Sequence, residues 1–204
     1  MATWELAGRA RYDFCDMIDT LTPEQLEQQS LCAQWTAHGV TAHLAGFVET
    51  GAFSFFGGLL KTGFNFDKAS VAMVNSRIDR PTADLCASLR ANATKSAPMP
   101  MFPEAMTVSD VAIHTQDVRR PLGAAGSLDD EVLNTALEFV TTHKLGTTLV
   151  DRRPIEGIKL VATDRDWTFG EGAEITGTGE ALLMGLANRP VLDDLSGEGL
   201  SGWS

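Results

Sequence analysis

The chain has little of what marks several functional classes. Its three cysteines, Cys15, Cys32 and Cys86, are odd in number and form no C-x-x-C pair. That excludes a disulfide framework and suits a reducing compartment. Basic residues are few, 16 against 27 acidic ones, for a formal net charge of −11. Such a balance repels a phosphate backbone and excludes general nucleic-acid binding, though a local arginine pair can still attract a small anion. Long apolar runs are missing: the most apolar window, Val48 to Leu60, is broken by Glu49, Thr50 and three glycines. It is too short to span a bilayer, so no membrane association is expected. The first residues, Met1-Ala-Thr-Trp-Glu5, carry no basic region followed by an apolar core, and a cytoplasmic location is expected. There is no glycine-rich phosphate loop, nucleophile elbow, internal repeat or low-complexity tract.

What is present reads as a folded, mostly helical chain. Hydrophobic residues make up 44% and charged residues 21%, a balance that excludes disorder. Leu6, Ala10, Phe14, Met17 and Leu21 mark the buried stripe of a first helix, about Thr3 to Leu21. Thr22-Pro23-Glu24 opens a short helix to about Gln29. Thr36 is a fitting N-cap for a long helix with Val40, Leu44 and Phe47 inward and His43 beside them. His38, about 140° around that helix from His43, is expected at the surface. Gly51 to Gly63 reads either as the helix end and a turn at the mouth of a pocket or as a close-packed buried segment. Further helices are expected after Asp67 (Val71, Val74 and Ile78 inward), from Pro81 to about Lys95, from an N-cap at Thr107 to near Pro121, and from Ser127-Leu-Asp-Asp130 to about His143. Ser96 to Met106, with three prolines, is a connection.

From about Val150 the pattern changes. Ile158–Ala162, Trp167–Phe169 and Ala173–Thr176 read as strands, Gly179–Asn188 as a helix and Pro190–Leu195 as a further helix start. The expected architecture is therefore mainly α: a helical bundle over residues 1–148 and a small α+β domain over 149–204.

The chemistry gathers around Asp110-Val-Ala-Ile-His114. Four residues apart on a helix, Asp110 and His114 share a face. They form either a surface hydrogen-bonded pair or two of the ligands of a divalent ion, with His43 the best third. His43 on its own reads more readily as a satisfied core histidine than as a ligand. Asp117 shares the side of His114 and suits a ligand-orienting acceptor or a partner for Arg119 or Arg120. Arg119 and Arg120 suit a bidentate grip on a carboxylate, or simply the negative end of the helix. Arg165 and Arg189 are further anion-binding candidates. Cys32 is expected to be buried.

Trp35-Thr-x3-Val40-x2-His43-Leu44 resembles a stretch of the DinB-like four-helix metalloproteins, and more closely of the actinobacterial mycothiol-dependent maleylpyruvate isomerase family. Asp110-x3-His114-x2-Asp117-x-Arg119-Arg120-Pro-Leu-Gly123 resembles that family's second signature. Ala162-Thr-Asp164-x-Asp-Trp167-x2-Gly170, then Gly179-x-Ala181-Leu182-Leu183 and Asn188-Arg189, resemble its small C-terminal α+β domain. The resemblance implies a DinB-like four-helix bundle with a divalent metal, usually zinc, on His43, Asp110 and His114, and an open coordination position. It also implies mycothiol as the thiol cofactor and isomerisation or thiol transfer on a small electrophilic, carboxylate-bearing substrate, in a monomer or homodimer. Arginines such as Arg119 and Arg120 would hold the carboxylates, with Arg165 and Arg189 toward the cofactor. The family's isomerase has Glu where this chain has Asp110, a side chain shorter by about 1.5 Å. That departure calls for a helix drawn inward, another metal, or contact through water. A metal-dependent hydrolase on the same bundle and a non-enzymatic metal- or ligand-binding protein are the rival readings.

Overall fold

Apolar stripes at helical spacing assemble the N-terminal two-thirds of the chain. In a computed structural model describing residues 4–98, 102–146 and 153–203, four long helices carry the first core. They are α1 (Trp4–Ile18), α3 (Ala37–Glu49), α6 (Thr82–Ala91) and α7 (Glu104–Leu122). Around the bundle, α1 packs on α7 and α6, and α3 on α6 and α7. Phe14, Val40, Val48, Leu85, Leu89 and Val108 are fully buried among them. Shorter helices α2 (Pro23–Leu26), α4 (Ala52–Lys61) and α5 (Phe66–Asn75) complete this unit.

Local chemistry explains most of the boundaries. Thr22 and Gln25 close a reciprocal capping box on α2. The Thr36 hydroxyl accepts from Gly39 N at 3.2 Å and starts α3 as expected. Helix α7 starts earlier than expected: Pro103, not Thr107, precedes its first turn. Proline lacks the N–H that a first turn leaves unsatisfied, and Glu104, the first residue of α7, accepts from Ala7 N at 3.2 Å. Pro121 is accommodated in the last turn of α7, and Gly123 closes the helix in the left-handed conformation at φ 58°. The Gly51–Gly63 segment is neither of the two expected forms but helix α4, which buries only Phe55 and Leu59 and leaves Phe53 97% exposed. Ile78, expected inward, lies beyond α5 and is exposed.

The packing divides the chain into Met1–Gly126 and Ser127–Ser204. The boundary expected at 148/149 falls outside the described residues. Helix α8 (Asp130–Thr142), capped by Asp129, packs on α9 (Gly179–Leu186) in the second unit rather than joining the bundle. Strands β1 (Ile158–Ala162), β2 (Thr168–Gly170) and β3 (Ala173–Gly177) form a sheet of order β2-β1-β3. β1 runs antiparallel to β2 and parallel to β3, with Leu160 paired to Ile175, and α9 lies against β1 and β3. Leu160, Ile175, Leu182, Leu183, Met184 and Leu186 are fully buried. Leu192–Asp194 and Glu198–Gly202 are 3-10 turns, and the Trp203 indole N–H donates to Pro154 O at 2.7 Å. No helix of the described residues is long and apolar enough to cross a membrane.

Candidate metal centre

Helices α3 and α7 supply the site. His43, in the buried body of α3, and Asp110 with His114, one turn apart on α7, face each other across the bundle. Asp110 Oδ1 lies 3.5 Å from His43 Nε2 and 3.6 Å from His114 Nε2. All three donor atoms fall within 4.8 Å of one another. Tetrahedral coordination with bonds of about 2.0–2.1 Å separates donor atoms by about 3.3–3.4 Å. The two carboxylate–imidazole spacings are therefore close to those of a ligand set. The shorter side chain of Asp110 thus still reaches both imidazoles at these spacings. Two imidazoles and one carboxylate also match the donor chemistry of a borderline cation such as Zn2+.

Each imidazole is held by its other nitrogen. His114 Nδ1 lies 2.9 Å from Asp117 Oδ2, and Asp117 is fully buried. His43 Nδ1 lies 3.0 Å from Ser70 Oγ on α5. With Nδ1–H donated to these oxygens, both Nε2 lone pairs point to the common centre, the usual arrangement around a ligating histidine. Trp35 stacks on His43 at 4.5 Å and 27°, and lies 5.6 Å from His114. It reaches that position because position 39 on α3 is glycine: a Cβ there would lie 2.9 Å from the Trp35 Cβ.

The electrostatics favour a neutral His43 and an ionised Asp110. Burial holds His43 below its ordinary value, against the opposing pull of Asp110. Burial pushes Asp110 up, but His43, His114 and Arg11 together bring it below the usual carboxylate range. Arg11 is a residue that the sequence reading passed over. It is 2% exposed, donates to Lys95 O at 2.9 Å, and lines a recess with Leu44, Phe47, Met106, Thr107 and Asp110. Burial lowers its guanidinium to about 10, while Asp110 and Glu104 hold it up.

The other expected residues are placed differently. His38 is buried, not at the surface: its ring nitrogens lie 2.8 Å from Thr82 Oγ1 and 2.8 Å from Ile78 O. Helix α3 is enclosed by α2, α5, α6 and α7, so the side opposite His43 is also interior. Arg119 is buried with Nη1 on Gln116 Oε1 at 2.8 Å, and Arg120 is half-buried. Arg165 belongs to the second unit, where it bonds Asn134 at 3.0 Å, Asp130 at 3.1 Å and Asp164 at 3.4 Å. Arg189, in the same unit, donates to Ala187 O at 3.0 Å. Cys32 is half-buried rather than buried.

A four-helix bundle presenting two braced imidazoles and a carboxylate toward one point belongs to the DinB-like class of folds. Residues 7–100 match the family model described as mycothiol maleylpyruvate isomerase N-terminal domain. His43 lies inside the matched segment, with Asp110 and His114 beyond it. Crystal structures of the mycothiol-dependent maleylpyruvate isomerase and of a histidine-to-alanine mutant share the fold. Each gives a TM-score of 0.64 at 15% identity over 96% of this chain and 91% of that one. No curated protein matches the sequence.

Proposed function

We propose that the chain is a metal-dependent enzyme using mycothiol, an isomerase or thiol transferase acting on a small electrophilic carboxylate of the maleylpyruvate type. The observation that carries the reading is the convergence of His43 Nε2 and His114 Nε2 on one Asp110 oxygen, at 3.5 and 3.6 Å, with both Nδ1 atoms already hydrogen-bonded. His43, Asp110 and His114 would hold the cation, and three protein ligands leave a position open to an exogenous group. A Zn2+-class ion there supplies Lewis acidity that favours the thiolate form of a bound thiol.

The chain's own residues do the rest. Ser70 and Asp117 fix the tautomers, so both Nε2 lone pairs are turned toward the common centre. Trp35 and Phe47 flank His43 and keep water from that side. Arg11 places a positive charge on the wall of the recess beside Asp110, where a substrate carboxylate would be drawn in. Arg119 and Arg120 are the proposed direct holders of substrate carboxylates, following the family pattern.

The test is turnover of maleylpyruvate followed by absorbance, with and without mycothiol, on protein loaded with Zn2+ and on protein stripped by chelator. The reading expects activity that needs both thiol and metal, and that is lost in His43→Ala and His114→Ala. Metal-loaded protein that hydrolyses esters without any thiol would point instead to a hydrolase on the same bundle.

A further inference from the structure

His114 has two faces, and the proposed centre uses only one. On the other, Asp117 Oδ2 sits 2.9 Å from Nδ1, and the Cys32 sulfur joins them: the donor atoms of Cys32, His114 and Asp117 all lie within 4.8 Å of one another. The loop that brings the thiol there is heavily braced. Leu31 N donates to Asp117 O at 2.9 Å, tying the loop to α7 beside the cluster. Gln29 Nε2 donates to Ser30 O at 3.2 Å, Cys32 O at 2.8 Å and Trp35 O at 2.8 Å. The Ser30 hydroxyl spans Cys32 O at 3.1 Å and Trp35 O at 2.7 Å, and Gln29 pairs with Thr36 in an isolated bridge. A loop tied at this many points holds its cysteine in place before any ligand arrives, which removes much of the ordering cost of binding.

We propose that Cys32, His114 and Asp117 form a second cation site, selective for a thiophilic d10 ion. Thiolate is the soft donor that favours such ions over hard ones, and imidazole with carboxylate completes a three-ligand set. Loading releases the thiol proton of Cys32 to solvent and moves the His114 proton from Nδ1 to Nε2, so that the ion takes the Nδ1 lone pair. A neutral imidazole offers one lone pair, so an ion on Nδ1 leaves Nε2 protonated and removes His114 from the set with His43 and Asp110. The two sites are thus alternatives sharing one ring. A thiophilic ion captured at Cys32 switches off the first site.

Cd2+ titration of the full chain tests this, read by the ultraviolet thiolate-to-cadmium charge-transfer band. The expected result is a saturable band in the wild type that is lost in Cys32→Ser and kept in His43→Ala, a variant in which the first site is already broken. Circular dichroism confirms that both variants are folded, and Cys32→Ala serves as the second probe if the serine variant is not. No band in the wild type, or an equal band in Cys32→Ser arising from Cys15 and Cys86, overturns the proposal. A band lost in both variants also overturns it, since Cys32 would then be a fourth ligand of the first centre. The first two failures leave the first site untouched, since its ligand set is tested without Cys32; the third would give that centre a fourth protein ligand.

Discussion

Asp117→Asn is the sharpest perturbation of the candidate centre, because it changes one atom and no volume. Asp117 is fully buried and its carboxylate lies 2.9 Å from His114 Nδ1. As a carboxylate it fixes the His114 tautomer and raises the basicity of Nε2. As an amide it keeps a carbonyl acceptor but loses the charge. Changes to such orienting partners cost about 10–100-fold in metal affinity, roughly 1.4–2.7 kcal/mol. Ser70→Ala removes the neutral counterpart on His43. Neutral hydrogen bonds are about half as strong as charge-assisted ones, so a smaller loss, about 3–10-fold, is expected. The assay is Zn2+ competition against a chromophoric chelator, in a Cys32→Ser background so that the sulfur contributes nothing. An affinity for Asp117→Asn within about twofold of the parent, with the fold intact, would refute the claim that His114 ligates through Nε2.

Other expectations follow from the surrounding structure. Glu49 receives Arg77 Nε at 2.7 Å, Arg80 Nη1 at 2.7 Å and the Ser88 hydroxyl at 2.6 Å, tying α3 to α6. Burial opposes its ionisation, but these three donors hold its carboxyl at about 2, against an ordinary 4.5. The unfolded chain therefore takes up this proton first. The stabilisation is complete above about pH 4.5 and lost as pH falls through about 2, with an upper bound of roughly 3 kcal/mol. Urea denaturation from pH 7 to 3 should show Glu49→Gln approaching the wild type as pH falls; a constant difference would contradict this. His38→Leu leaves Ile78 O and Thr82 without their buried partner. It should cost about 1–3 kcal/mol in urea denaturation while leaving Zn2+ affinity unchanged. Arg11→Met should lower thermal stability, since three carbonyls at the end of α6 lose their donor, and should weaken carboxylate substrates in KM more than in kcat.

Much of the candidate site is legible in the sequence because its donor residues sit in local patterns. Asp110 and His114 are set by helical spacing, and Trp35 to His43 fall within one recognisable stretch. Ser70 left no such trace: it reaches His43 from a separate helix, 27 positions further along the sequence. Arg11 did leave one, as a charge inside the otherwise small and apolar stripe of Ala7, Ala10 and Phe14. An angle of about 140° from His43 places His38 in solvent only on a helix with one buried face, whereas α3 is surrounded and buries eleven of its thirteen residues. The glycines of Gly51–Gly63 concealed α4, since Gly57 and Gly58 lower helix propensity without forbidding it. Helix α8 follows the same periodicity as the bundle helices, and periodicity cannot say that its apolar face belongs to a different core.

The central claim is that His43, Asp110 and His114 hold a cation together. Elemental analysis of protein purified without chelator tests it most directly, in the wild type, His43→Ala and His114→Ala. About one equivalent of a transition metal in the wild type, falling sharply in both variants, is the predicted result. Less than about a tenth of an equivalent in the wild type, even after incubation with Zn2+, would contradict it.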